Sequence, residues 1–207
     1  VKWELSKNEN FEIIAKSGFF SSQLSRDFTV KIDVKNLMAN TEYYYRFHFN
    51  KNTSPIGKTK TLPKGDIEKA SFAVVSCSNW EHGYFNVYDH IARQDHFDAV
   101  IHLGDYYYEY GAGEYEGASG TNLNRIHSPE HEIITLDDYR KRHAQYRSDS
   151  SLQLLTQKLP LIAIWDDHET SNDSWKAGAD NHGPNEGDWK DRKHAALRAY
   201  YEWMPVR

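Results

Sequence analysis

The chain has 207 residues, 39% apolar and 27% charged, with a formal charge of −5. That length suits one large domain or a small domain joined to part of another, and no apolar run is long enough to span a bilayer. An acidic balance without a basic stripe argues against a protein that coats nucleic acid, and a single cysteine, Cys77, excludes an internal disulfide framework.

Residues 1–64 read as all-β. Residues 28–34 alternate with period two, and residues 43–49 do so in part. Residues 37–43 between them read as a strand-to-strand crossover, and residues 57–63 as a last strand running into a linker. This order resembles the back half of a fibronectin-III-like β-sandwich, a module that usually positions or shields a neighbour. No signal or transit pattern opens the chain, and residues 203–207 follow a helical pattern without a closing element, so the sequence reads as a fragment.

From residue 70 to 207 the pattern becomes α/β. A first strand covers residues 70–76, and Tyr84, Val87, Tyr88 and Ile91 recur at helical spacing. A second strand over 98–103 completes a parallel, right-handed βαβ unit. Residues 111–124, rich in glycine, predict a long loop above the strand ends, where substrate contacts usually lie. Thr135 followed by two aspartates predicts a helix start, with the helix running to about residue 147. A short helix over 152–157 leads into a third strand over 161–165. A polar loop over 178–188 and a final helix over 189–203 close the chain.

All three strands stop at residues that bind metals or move protons: Cys77, then Gly104-Asp105, then Asp166-Asp167-His168-Glu169. The carboxyl ends of strands are where open α/β sheets place their sites. Asp105 follows a glycine that permits a sharp turn, which suits a carboxylate bridging two ions and equally suits an ordinary turn cap. A phenol at Tyr108 needs a strongly acidic ion such as ferric iron to lose its proton, and the adjacent Tyr106, Tyr107 and Tyr110 show how readily tyrosine serves a core instead. Cys77 reads as a buried apolar residue, as a nucleophile activated by His82 or His168, or as a thiolate ligand beside Asp105. The ligand reading fits the oxygen donors gathered at the same edge. Asp167 suits a divalent ion, and His168 can ligate, stabilise a phosphoryl oxygen or protonate a leaving group. His102, inside a strand, reads as packing.

Ser76-Cys77-Ser78-Asn79, Glu81-His82-Gly83-Tyr84-Phe85, Gly104-Asp105-Tyr106-Tyr107-Tyr108-Glu109-Tyr110, Trp165-Asp166-Asp167-His168-Glu169 and the run 199–207 together resemble the calcineurin-like metallophosphoesterases. More narrowly they resemble the PhoD-like alkaline phosphatase/phosphodiesterases. The resemblance implies an N-terminal sandwich, residues 1–64, followed over 70–207 by the first half of a metallophosphoesterase α/β sandwich. It implies Fe3+ held by Cys77 and Tyr108, Asp105 bridging to Ca2+, Asp167 on the calcium, and His168 on the phosphoryl group with Asn79 nearby. The activity implied is hydrolysis of phosphate monoesters and diesters by a metal-bound hydroxide, in a secreted or periplasmic enzyme with small-molecule or polymer phosphate esters as substrates. No specific nucleic-acid binding is expected. The remaining histidine- and aspartate-bearing motifs of such sites do not follow Asp167. The chain is therefore expected to hold half a metal site, to leave one sheet face bare, and to be inactive alone. A dedicated phosphodiesterase and a non-catalytic binding remnant are the alternatives.

Overall fold

The computed structural model describes residues 1–115 and 120–206. Strands β1 (Lys2–Ser6), β2 (Ile14–Phe19), β3 (Glu42–Phe49), β4 (Asn52–Thr53) and β5 (Gly57–Lys60) form an antiparallel sheet with β1 between β2 and β3. β3, at eight residues, also pairs β4 and β5, so it organises this sheet. Tyr43 on β3 is 2% exposed, and its hydroxyl accepts the Met38 N–H at 3.1 Å, which pins the chain entering β3.

Residues 28–34 are not a strand. Their alternation is real, since Val30, Ile32 and Val34 are half-buried while Lys31, Asp33 and Lys35 are exposed, but they pair with no ladder. This stretch and the turn before it lie instead against the helical layer. The Ser25 carbonyl accepts from Arg140 at 3.0 Å and Arg198 at 2.5 Å, and Asp27 accepts the Trp203 indole N–H at 3.0 Å. Lys31 donates to the carbonyls of Tyr201, Met204 and Val206 at the end of the last helix. A cation at a helix C-terminus answers carbonyls that have no partner within the helix. The strands flanking β3 come from β1, unread in the sequence, and from β5. β1 alternates lysine, glutamate and serine with tryptophan and leucine over only five residues, whereas β2 shows no such period.

The second sheet is parallel, in the order β6 (Phe72–Val75), β7 (Ala99–His102), β8 (Leu161–Ala163). Between β6 and β7 runs helix α1 (Asn86–Ala92), which gives the expected βαβ unit. The short α2 (Gly120–Leu123) lies in the long loop, part of which (116–119) is outside the described residues. Then come α3 (Leu136–Tyr146), α4 (Ser150–Lys158) and α5 (Trp189–Trp203). Thr135 caps α3 through a capping box with Asp138, and Asp149 and Asp188 cap α4 and α5. The stripe expected on α1 is half correct. Tyr88 and Ile91 are buried, but Tyr84 and Val87 face outward at 59% and 63% exposure. Phe85 takes the inner place instead, packing on Trp80 and Tyr146.

The core lies on one side of this sheet. Ala73 and Val100 meet Tyr107, Tyr139, Tyr146, Leu152, Leu155 and Tyr200 there. On the other side Phe72, Val74, Leu103, Ile162 and Ile164 stand exposed. Parallel sheets are normally covered on both faces. Among the described residues no helix is long and apolar enough to cross a membrane.

His102 is 1% exposed, as packing requires. Its Nδ1 accepts the Gly104 N–H at 3.3 Å, which leaves Nε2 to donate to Tyr88 at 3.0 Å. Burial pushes its pKa from 6.5 down to about 4. The unfolded chain takes up this proton near pH 6.5 while the folded one refuses it until about pH 4. Stability is therefore complete above that window and is lost as the pH falls through it, by about 3 kcal/mol. Urea unfolding at pH 7 and pH 4.5 should show the loss, and His102→Gln should reduce it. An unchanged pH dependence in that variant would show that other groups carry it.

Candidate metal centre at the strand ends

Past β6 the backbone turns at Cys77, past β7 at Gly104 and Asp105, and past β8 it runs through residues 164–169. Cys77 and Asp105 both take left-handed conformations, with φ of 58° and 52°, which are costly for residues that carry a Cβ. They are held there by their neighbours. The Cys77 N–H donates to the Gly104 carbonyl at 3.2 Å, and the Ser78 N–H to that of Asp105 at 2.8 Å. Gly104 has φ of 105°, and a side chain there would collide with the backbone nitrogen and Cβ of Asp166. The turns after β7 and β8 therefore meet at van der Waals contact.

One carboxylate fastens that meeting. Glu169, 2% exposed, accepts the N–H of Asp105 at 3.1 Å, of Tyr106 at 2.7 Å and of Asp166 at 2.9 Å. Burial pushes its pKa up to about 7 against the pull of those donors.

The five residues singled out as ligands or proton carriers converge. Asp105 Oδ2 lies 3.3 Å from Cys77 Sγ and 3.4 Å from the Tyr108 hydroxyl. Asp105, Asp167 and His168 each offer a ligand atom, all within 4.8 Å of one another. Tyr106 and Tyr107 are core residues, at 1% and 0% exposure, so of these tyrosines Tyr108 is the one hydrogen-bonded to Asp105. Cys77 is exposed, which removes the buried-apolar reading, and its partner is a carboxylate rather than an imidazole. The Asp167 carboxylate is steadied by the Asp173 N–H. Asn79 accepts the Glu81 N–H at 3.0 Å through Oδ1, while its Nδ2 is buried without a partner among the described residues.

The charges are arranged for a cation. Asp105 has its pKa raised by burial and by Asp167 and Asp166, against His168 and the Cys77 hydrogen bond. Its second oxygen, Oδ1, is buried with no partner among the described residues. Such an atom costs stability unless something positive meets it. Burial first, then the Asp105 charge, raises the Tyr108 pKa, so the phenol keeps its proton until a strong Lewis acid displaces it. Burial disfavours charge on His168, but the Glu109 carboxylate outweighs it and raises the pKa. The donor set of thiol, phenol, two carboxylates and an imidazole around an orphaned carboxylate oxygen fits a metal centre.

Two positioning residues, Glu109 and Glu169, lie within the quoted motifs, but the sequence assigns neither a role of its own. Glu109 is fully buried; it accepts from His168 Nδ1 at 2.7 Å, the Asn172 N–H at 2.6 Å and Asn181 Nδ2 at 2.9 Å. The signal available was a glutamate amid aromatic residues, where burial demands donors.

The fold and the cluster define a class, that of α/β proteins with a cation-fitting cluster on the carboxyl edge of an open parallel sheet. The pattern of the PhoD-like phosphatase family matches residues 72–207, and that of its N-terminal domain matches residues 1–63. The chain belongs to the PhoD-like phosphatase family. It is 43% identical over 209 aligned positions to alkaline phosphatase D of Bacillus subtilis (strain 168), covering all of this chain and 35% of that relative. A solved structure described as that of PhoD superposes with a TM-score of 0.91 at 41% identity, covering all of this chain and 39% of the other. The chain thus spans little more than a third of the length of the proteins it matches.

Glu169→Gln keeps one acceptor oxygen and turns an amide N–H₂ toward a backbone donor. The variant should lose about 1–3 kcal/mol in urea unfolding. A loss below about 0.5 kcal/mol would show that the two turns hold together without this carboxylate.

Proposed function

We propose that these residues supply half of the catalytic centre of a phosphoric ester hydrolase of the alkaline phosphatase D type, acting on phosphate monoesters and diesters. The observation that carries the reading is the convergence of Cys77, Asp105, Tyr108, Asp167 and His168 around a buried carboxylate oxygen with no partner among the described residues. The named relative and the family support it. Residues 1–64 are read as a β-module and residues 70–207 as the first part of the catalytic domain. The working location is read as secreted or periplasmic, on the family resemblance.

In this reading Cys77 and Tyr108 would hold Fe3+, and Asp105 and Asp167 would hold Ca2+. Thiolate and phenolate suit a ferric ion, while carboxylates suit calcium. When bound, the ions supply Lewis-acid chemistry, lowering the pKa of water and neutralising charge on the phosphoryl group. The chain's own residues do the rest. Asp105 would offer Oδ1, which has no partner among the described residues, and Tyr108 would offer its phenol oxygen beside it. His168, tied to Glu109 through Nδ1, presents Nε2 toward the phosphoryl oxygens or the leaving oxygen, where a raised pKa lets it hold a proton. Asn79 has a free amide N–H₂ to offer an equatorial oxygen.

The complete protein, purified and analysed for metals, should contain iron and calcium and show a visible charge-transfer band. Tyr108→Phe or Cys77→Ser should abolish the band, and Asp105→Asn should lower turnover of both p-nitrophenyl phosphate and its diester by at least about a hundredfold. A colourless, fully active enzyme holding only zinc would sink the iron assignment. The 207 residues by themselves should turn over neither ester above background. Turnover matching the complete protein would overturn the reading of half a centre.

A further inference from the structure

The segment after Tyr110 returns toward the site and is held there before any substrate arrives. Glu81, 2% exposed, accepts the Gly113 N–H at 2.9 Å and the His127 N–H at 2.9 Å, which ties both arms of the long loop to one buried carboxylate. Glu114 accepts the Gly111 N–H at 2.9 Å and tightens the turn between them. Tyr115 is the residue this stem delivers.

Its ring stands edge-on to Tyr108 at 5.1 Å between centroids and edge-on to His168 at 5.9 Å. Tyr110 lies 5.1 Å away, and the ring of His82 lies 5.4 Å away. Exposure rises along this row. Tyr108 and His168 are both 5% exposed, Tyr115 is half-buried, and His82 is exposed. A group leaving the His168 imidazole toward solvent therefore passes the face or edge of Tyr115 and then His82. Both residues lie on segments that follow strand ends, His82 in a short 3-10 turn after β6 and Tyr115 in the loop after β7.

We propose that Tyr115 is a specificity-determining residue: its ring, extended by His82, is the wall against which the organic group of the ester lies, and it favours flat aryl groups over small alkyl ones. This rests on the phosphoesterase reading above. If the ester oxygen meets His168, the carbon attached to it projects along this row. Aromatic rings reward a flat apolar partner with an offset or edge-on contact that glycerol cannot make. The buried anchor at Glu81 means the wall is preorganised, so little ordering is lost when substrate binds.

The test uses the complete protein with p-nitrophenyl phosphate, glycerol phosphate and, as a competitive inhibitor, inorganic phosphate. Each variant is compared with the unaltered protein on the same substrate, so differences in leaving-group reactivity cancel. Tyr115→Ala should lower the aryl-over-alkyl ratio of kcat/KM by about three- to tenfold, chiefly through KM, and Tyr115→Phe should restore it. Inhibition by inorganic phosphate, which has no organic group, should follow neither change. An equal loss on both esters, a parallel weakening of inhibition by phosphate, or an unchanged ratio would each overturn the proposal while leaving the phosphoesterase reading in place. Failure of the unaltered protein to hydrolyse either ester would sink both.

Discussion

The carboxylate of Glu169 binds three backbone N–H groups that belong to two different strand ends, and the position of every ligand candidate follows from it. Parallel strands finish with donors that no further strand can satisfy, and a buried donor left alone costs about as much as a hydrogen bond is worth. One side chain answers all three here. It draws the turn carrying Asp105 against the turn carrying Asp166, close enough that only glycine fits at position 104. The same residue is tied inward by its own carbonyl, which accepts the Tyr107 hydroxyl at 2.8 Å, and its neighbour Thr170 accepts from Tyr139 at 2.5 Å. The geometry of the cluster is thus inherited from rings at the centre of the core. Burial raises the Glu169 pKa to about 7, so the arrangement is held by hydrogen bonds and packing more than by a fixed charge.

A second buried layer does the same for the outer loops. Glu109 spends one oxygen on His168 and the other on Asn172 and Asn181, which sets the imidazole and the start of the 172–188 region together. Arg142, fully buried on α3, donates to the carbonyls of Tyr108, Tyr110, Ser128 and Pro129. A guanidinium offers five donors in a fixed fork, and four carbonyls from two segments are met by one side chain. Desolvating such a charge is expensive, and it is repaid only because nearly every N–H finds an acceptor. These ions therefore buy position rather than raw stability.

How much of this was legible depended on whether a residue's role shows in its local pattern. The strands β6, β7 and β8, the βαβ order, the Thr135 cap and the bounds of α5 follow from periodicity and capping chemistry, which are local. So is the gathering of Cys77, Asp105, Tyr108, Asp167 and His168, because each ends or follows a strand of one sheet. Residues 28–34 misled because alternation reports that one side is covered, not that a neighbouring strand covers it. Lys31, on the exposed side of the alternation, reaches the carbonyls at the end of α5, far along the chain, and no pattern within seven residues encodes that. Tyr84 and Phe85 are adjacent aromatics, and only the position of Trp80 and Tyr146 decides which one turns inward. Glu109 and Glu169 were in view but looked like the polar edge of a motif, since their donors are backbone groups that carry no sequence signature.

The molecule is one-sided in two respects that share an origin. Among the described residues, Phe72, Val74, Leu103, Ile162 and Ile164 leave one face of the parallel sheet without cover, and Asp105 Oδ1 and Asn79 Nδ2 lie at the ends of that same sheet without partners. Apolar side chains at alternate positions ask for a layer packed about 10 Å away, and the ends of such a layer reach the same edge. A structure that supplies the cover is then also placed to meet both atoms, with a donor or cation for Asp105 Oδ1 and an acceptor for Asn79 Nδ2. Burying the bare face and closing the cluster become one event, because the sheet that carries the ligand candidates is the sheet left uncovered on one face among the described residues. Ion binding at this edge and folding of whatever covers it should therefore be coupled, each strengthening the other, as metal sites assembled from separate segments require.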